Sequence, residues 1–138
     1  MREDELLASV STGAVIGAFF EVYNVLGYGF MEHVYLAALV RELKARGHRV
    51  TREVLVTIHY KGEPLTRQRL DLVVDDRVVV EVKSSPVLPP TARRQTLNYL
   101  RATSLEVALL LHFGPAPRFY RLVSSKAGQE GRVSGGGE

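Results

Sequence analysis

The sequence predicts an α/β fold, a mixed central β-sheet flanked by helices. Three observations predict it. Two segments with helical apolar spacing come first, over residues 4–26 and 31–46. A block rich in β-branched residues follows, over 49–84. A proline break and a short helix at 91–103 then lead into the continuous apolar run "LEVALLLHF". The order α-α-β-β-β-α-β-β calls for helices packed on a mixed sheet.

In the first helix Val15, Phe19, Val22 and Leu26 recur on one face, and Gly27 is the stop before the "GYG" loop. The second helix turns Tyr35, Leu36, Leu39 and Leu43 inward and exits at Gly47. "RVTREVLVTIHY" (49–60) reads as a strand, "KGEP" as a turn, and two strands follow at 65–74 and 78–84. "VLPP" ends that block, because proline cannot donate to a ladder. Thr91 stands where an N-cap is needed for the third helix. Residues 105–113 form a strand buried on both faces, and 118–123 an edge strand. Residues 1–123 are expected to make one domain, and 124–138, rich in Gly and Ser, a disordered tail.

Of the 138 residues, 46% are hydrophobic and 24% charged, an ordinary globular balance. No cysteine is present, which excludes disulfides, zinc–thiolate sites and cysteine nucleophiles and is compatible with a cytoplasmic location. "MREDELLASV" is too acidic for a signal peptide, and no membrane span is expected. The formal net charge of +3 permits nucleic-acid binding without requiring it.

The chemistry concentrates in "RLDLVVDDRVVVEVKSS" (69–85), where Asp71, Glu81 and Lys83 stand among valines. Buried carboxylates are costly unless something neutralises them. Glu81 and Lys83 are two apart and share a face. A two-residue turn at Asp75-Asp76 would set Asp71 facing away from Glu81, whereas a three-residue loop, Asp75–Arg77, pairs them. Two carboxylates facing each other repel, and a divalent cation converts repulsion into ligation. An oxygen-only donor set points to Mg²⁺ or Mn²⁺, with Lys83 beside it to orient water or stabilise developing charge. On spacing alone, a structural Glu81–Lys83 ion pair explains the same residues equally well.

Asp71, nine residues, then Glu81-Val82-Lys83 on a hairpin resembles the PD-(D/E)XK nuclease superfamily. "GFMEHVY", with Gly29, Glu32 and Tyr35, is similar to the signature of the GxxExxY family assigned to it. "QTLNY", with Gln95 and Tyr99, is similar to the Gln-xxx-Tyr motif of RecB-like nucleases. The resemblance spans about residues 8–123 and implies a restriction-endonuclease-like core. It further implies that Asp71, Glu81, Glu32 and the Val82 carbonyl serve a metal site, with Lys83 the catalytic lysine. Gln95 and Tyr99 would support the site or contact substrate. Leu70 stands where the superfamily pattern has proline.

Helical spacing puts Glu32 on the inward stripe with Tyr35, Leu36 and Leu39, although a first-turn acid also complements the helix dipole. The four histidines form no HxxxH pattern, and "GYGFME" lacks both the strand and the third glycine of a dinucleotide fingerprint. Arg93, Arg94 and Arg101 are expected to flank the site and contact phosphate. The resulting expectation is a Mg²⁺- or Mn²⁺-dependent nuclease acting on nucleic acid, DNA ahead of RNA. Any sequence specificity would come from a homodimer or a protein partner. The alternatives are a non-catalytic nucleic-acid- or protein-binding module on the same fold, and an interaction domain whose charges are only ion pairs.

Overall fold

The computed structural model describes residues 2–125. Helix α1 (Glu3–Leu26) begins with Glu3, Asp4 and Glu5, which complement the positive end of its dipole. It buries Ser11, Thr12, Val15, Ala18, Phe19 and Val22 at helical spacing. Gly27, at φ 74°, ends it and donates its N–H to the Tyr23 carbonyl at 2.8 Å. At 24 residues α1 is by length and composition apolar enough to cross a bilayer. Its apolar stripe is instead used against the sheet. Helix α2 (Glu32–Ala45) packs beside it through Tyr35, Leu39, Val40 and Leu43.

Five strands follow the predicted order: β1 (Val50–Tyr60), β2 (Glu63–Val74), β3 (Val78–Lys83), β4 (Val107–Phe113) and β5 (Pro117–Val123). They lie in the order β1-β2-β3-β4-β5, antiparallel except for β3 and β4. A parallel pair needs a crossover, and α3 (Ala92–Arg101) supplies it. α3 starts after Thr91, whose side chain makes no capping bond. One sheet face packs on α1 and α2 through Leu72, Val80, Val82, Leu109, Leu111 and Phe113. The other packs on α3 through Val73, Val79, Ala108, Leu97 and Leu100.

The hairpin β2–β3 has the register Leu72↔Val80, Val73↔Val79, Val74↔Val78, so Asp75–Arg77 is the three-residue loop that the carboxylate spacing predicts. Both Asp75 and Asp76 have positive φ, 56° and 55°, a conformation aspartate tolerates. β2 starts two residues earlier than predicted, at Glu63, because the turn is only Lys61-Gly62, with φ 53° and 83°. Positive φ at both central residues marks a tight hairpin turn. β2 meets β3 only over Leu72–Val74, so β1 and the first part of β2 run on as a two-stranded ribbon. Ser124 is buried and donates its N–H to the Glu106 carbonyl at 2.8 Å. The remainder of the expected disordered tail, 126–138, lies outside the described residues.

Candidate active site

The sheet opens at Asp71. The β2–β3 ladder stops at Leu72↔Val80, and side chains take over from backbone. The Asp71 N–H donates to Glu81 Oε2 at 3.0 Å, and the Val82 N–H donates to Asp71 Oδ2 at 2.8 Å. A regular strand keeps residues two apart on one face. Leu72 nevertheless packs in the α1–α2 core, and Leu70 in the α3 core. β2 therefore turns over at Asp71. On β1 the matching irregularity is Glu53, at φ 54° between the pairs Arg52↔Leu72 and Val54↔Leu70. Such interruptions re-aim side chains, and here one brings the Asp71 carboxylate to Glu81.

Glu81 is only 8% exposed and Asp71 half-buried. Burial first, and the Asp71 charge next, push the Glu81 carboxyl from its ordinary 4.5 up to about 8. Asp71 is also raised, by burial foremost and by the Glu32 charge, against the pull of the Val82 N–H and Lys83. Lys83 ends β3 on the same face as Glu81 and lowers both carboxyls electrostatically. Among the described residues, no Lys, Arg or His nitrogen stands within 4.0 Å of either carboxylate. The structural Glu81–Lys83 ion pair is thus not formed, and two adjacent inward carboxylates are left without a contacting cation.

That donor set fits a hard divalent ion. Asp71 Oδ1 and Glu81 Oε1 are not used in the two backbone hydrogen bonds. An extended residue turns its N–H and C=O to the same edge, so Val82, whose N–H meets Asp71, has its carbonyl on that edge too. Among the described residues no group of three or more His, Asp or Glu side chains is close enough to enclose a metal. Two carboxylates suffice for Mg²⁺, which keeps several waters and is completed by substrate phosphate.

Glu32 is the first residue of α2 and is exposed, not on the buried stripe that helical spacing predicts. Its Oε2 accepts the Ser84 N–H at 3.2 Å, and its charge raises both Asp71 and Glu81. It thus stands at the site's rim. Tyr35 points into the core instead, stacked 4.0 Å from the Phe113 ring. Its hydroxyl donates to the Gly27 carbonyl at 2.6 Å and accepts the Phe30 N–H at 3.2 Å. It therefore sets the loop that delivers Glu32. A cleft of about 540 Å³ opens there, lined by Phe30, Met31, Glu32, His33, Ser84 and Ser85 among others.

Tyr99 is half-buried, packed on the α3-side core that includes Leu70, and Gln95 is exposed one turn before it. The arginines do not form one cluster. Arg93 leans across β5, its guanidinium 4.6 Å from the Tyr120 ring centre, at the outer end of the row that runs from Glu81 through Leu110. Arg94 is exposed beside it, and Arg101 is half-buried at the far end of α3. Two residues escaped the sequence reading. Ser84 ties Glu32 to the end of β3, and its only signal is its place one after Lys83. His112, paired with Lys83 in the ladder, is buried with Nε2 2.8 Å from the Ser85 carbonyl.

No curated protein matches the chain. Among solved structures it is similar to the crystal structure of SSO0001, with a TM-score of 0.55, 22% identity, and 67% of this chain and 50% of that one covered. It is also similar to an alkaline exonuclease (LHK-Exo) from Laribacter hongkongensis, with a TM-score of 0.47, 15% identity, and 66% and 55% covered. The chain spans about half the length of each. The former likeness carries the fold, with the mixed sheet and flanking helices of a restriction-endonuclease-like core. The family model of the PD-(D/E)XK nuclease superfamily matches residues 9–122, which include the opened sheet edge with Asp71, Glu81 and Lys83, and the chain belongs to that superfamily.

Proposed function

We propose that the protein is a nuclease that hydrolyses phosphodiester bonds of nucleic acid, DNA ahead of RNA, with Mg²⁺ or Mn²⁺ as cofactor. The observation that carries this reading is the pair of inward carboxylates, Asp71 and Glu81, with no contacting cation among the described residues and Lys83 on the same face as Glu81. In this reading Asp71, Glu81 and the Val82 carbonyl hold the divalent ion, and Glu32 approaches from the rim. The ion supplies Lewis acidity toward a phosphate oxygen and acidifies water.

The chain's own residues do the rest. The two backbone hydrogen bonds fix the carboxylates, so their remaining oxygens are aimed before any ligand arrives. Lys83 is an ammonium with three donors and no lone pair, so its part is to orient attacking water and hold the negative charge that grows on the phosphoryl oxygens. Tyr99 and Gln95 line the α3 side, with Arg94 and Arg101 as further phosphate contacts. The Gly29, Glu32 and Tyr35 pattern supports a place in the GxxExxY family.

The test is cleavage of end-labelled DNA and RNA, single- and double-stranded, with Mn²⁺ or Mg²⁺ against EDTA. Metal-dependent cleavage of DNA is expected. Mn²⁺ binding without cleavage of any substrate would leave a nuclease-like binding module in its place.

A further inference from the structure

Strand register builds a second feature on the α3 face of the sheet. Lys83 of β3 pairs with His112 of β4, and His112 pairs with Arg118 of β5. These three residues therefore form a row across the sheet, and the row behind it runs from Glu81 through Leu110 to Tyr120. Neighbouring strands are about 4.8 Å apart, so Arg118 sits roughly 10 Å from Lys83 along the row. At its outer end lies a cleft of about 560 Å³ between the 86–90 loop, the first turn of α3 and the β4–β5 turn.

The lining of this cleft has one sign. Arg93, Arg118 and His112 line it with Tyr120, and no Asp or Glu does. Arg118 is exposed and has no ion-pair partner among the described residues. Arg93 is held by its stack on Tyr120 and, among the described residues, by no carboxylate. The floor is rigid. His112 is fixed by Ser85, and a Cβ on Gly114 would come within 2.7 Å of the His112 ring, so only glycine fits there. Pro86, Pro89, Pro90 and Pro115 supply wall without backbone donors, and the guanidinium groups of Arg93 and Arg118 are the cationic donors of the lining. Planar guanidinium forks facing a cleft match phosphate oxygens.

We propose that this cleft is a second phosphate subsite. In it Arg93 and Arg118 hold a backbone phosphate along the strand from the one presented to Asp71, Glu81 and Lys83. The proposal rests on the nuclease reading for the nature of its ligand, while the anion site itself stands on the cleft. The subsite sets where a strand lies, so its effect belongs to substrate binding and register.

The experiment has two arms. The first maps amide chemical shifts of the full chain on titration with thymidine 3′,5′-bisphosphate, and separately with inorganic phosphate. Shifts centred on Gly114, Ala116, Arg118 and Tyr120 are expected. The bisphosphate should bind more tightly than inorganic phosphate if the cleft takes a nucleic-acid backbone, and Arg118→Gln should weaken it roughly tenfold. The second arm measures oligonucleotide cleavage, where Arg118→Gln should raise KM by a similar factor. Because Arg118 is exposed, the variant keeps its fold. Shifts that avoid the cleft, or unchanged affinity in an Arg93→Gln/Arg118→Gln variant, overturn the subsite whether or not the protein cleaves. Bisphosphate shifts in the cleft without cleavage uphold it and count against the nuclease reading alone.

Discussion

At the scale of single residues, Glu81 carries the sharpest consequences. Its carboxyl is raised from its ordinary 4.5 to about 8, by burial foremost and then by Asp71. Between those values the folded metal-free protein keeps a proton that the unfolded chain has released. The Glu81 contribution to stability is thus greatest below 4.5 and falls as the pH climbs to about 8, by on the order of a few kcal/mol. Glu81→Gln should flatten that fall and melt above the wild type at pH 8 in EDTA. Thermal melts across pH 5–8.5 check this, and equal slopes for both proteins would refute the buried-carboxylate account. The same proton competes with a cation, so Mn²⁺ affinity should rise with pH over this window and be lost in Asp71→Asn and Glu81→Gln. Lys83→Ala should behave differently, abolishing cleavage while calorimetry still shows Mn²⁺ bound. Loss of metal in that variant would make Lys83 part of the site's architecture instead.

Among the elements, the β2–β3 hairpin was the most legible in sequence. The valine runs on either side of Asp75–Arg77 and the nine-residue gap between Asp71 and Glu81 admit one register that brings the charges together, and the ladder has it. The turnover of β2 at Asp71 was not legible, since Leu70, Asp71 and Leu72 alternate as a regular strand would, and only the separate cores of Leu70 and Leu72 show it. The loop at the other end carries a second device. Asp75 accepts bonds from Ser11 Oγ at 2.6 Å and the Arg49 N–H at 3.0 Å, and meets His48 Nδ1 at 2.7 Å. It thereby joins α1, the approach to β1 and the hairpin. Burial raises its carboxyl, but the bonds from Ser11, His48 and Arg49 outweigh this and lower it below the ordinary 3.8. A depressed carboxyl stabilises the fold above its unfolded value, and that contribution is lost as pH falls through the folded one. Asp75→Ala should cost about 1–3 kcal/mol at pH 7, read by urea unfolding, with a smaller difference at pH 3. A variant as stable as the wild type would show that the three bonds only decorate the loop.

Across the whole molecule, what sequence periodicity could not supply is which element lies over which strand. The helical pattern of α3 places Arg93 on an outer face, but only the crossover geometry puts it above β5 and not above Asp71. Likewise, helix spacing assigns Glu32 to the apolar stripe, whereas a first-residue side chain runs past the helix end to Ser84. The opened sheet edge lies between two basic regions, the β1–β2 ribbon with exposed Arg67 and Arg69, and the α3–β5 side with Arg93, Arg94 and Arg118. Thr57↔Arg67 and Leu55↔Arg69 pairs set both ribbon arginines on one face, and neither has an ion-pair partner among the described residues. Val54, Val56 and Leu70 of the ribbon pack on the α3-side core, so Arg67 and Arg69 point to the other face of the sheet, and only a nucleic acid that wraps around the sheet touches both regions. Counterions released by those contacts make the affinity fall linearly on a log–log salt plot. Neutralising Arg93 and Arg94 together should reduce the slope by roughly one unit per lost contact, and neutralising Arg67 and Arg69 should do the same. The two pairs lie on opposite sides of the carboxylates, so their effects on the slope should add in the fourfold variant. Fluorescence anisotropy of a labelled duplex, titrated without divalent metal across a salt series, measures this directly. A slope unaffected by the ribbon pair would confine the bound strand to the α3–β5 side, and a slope unaffected by both pairs would remove nucleic acid from both regions.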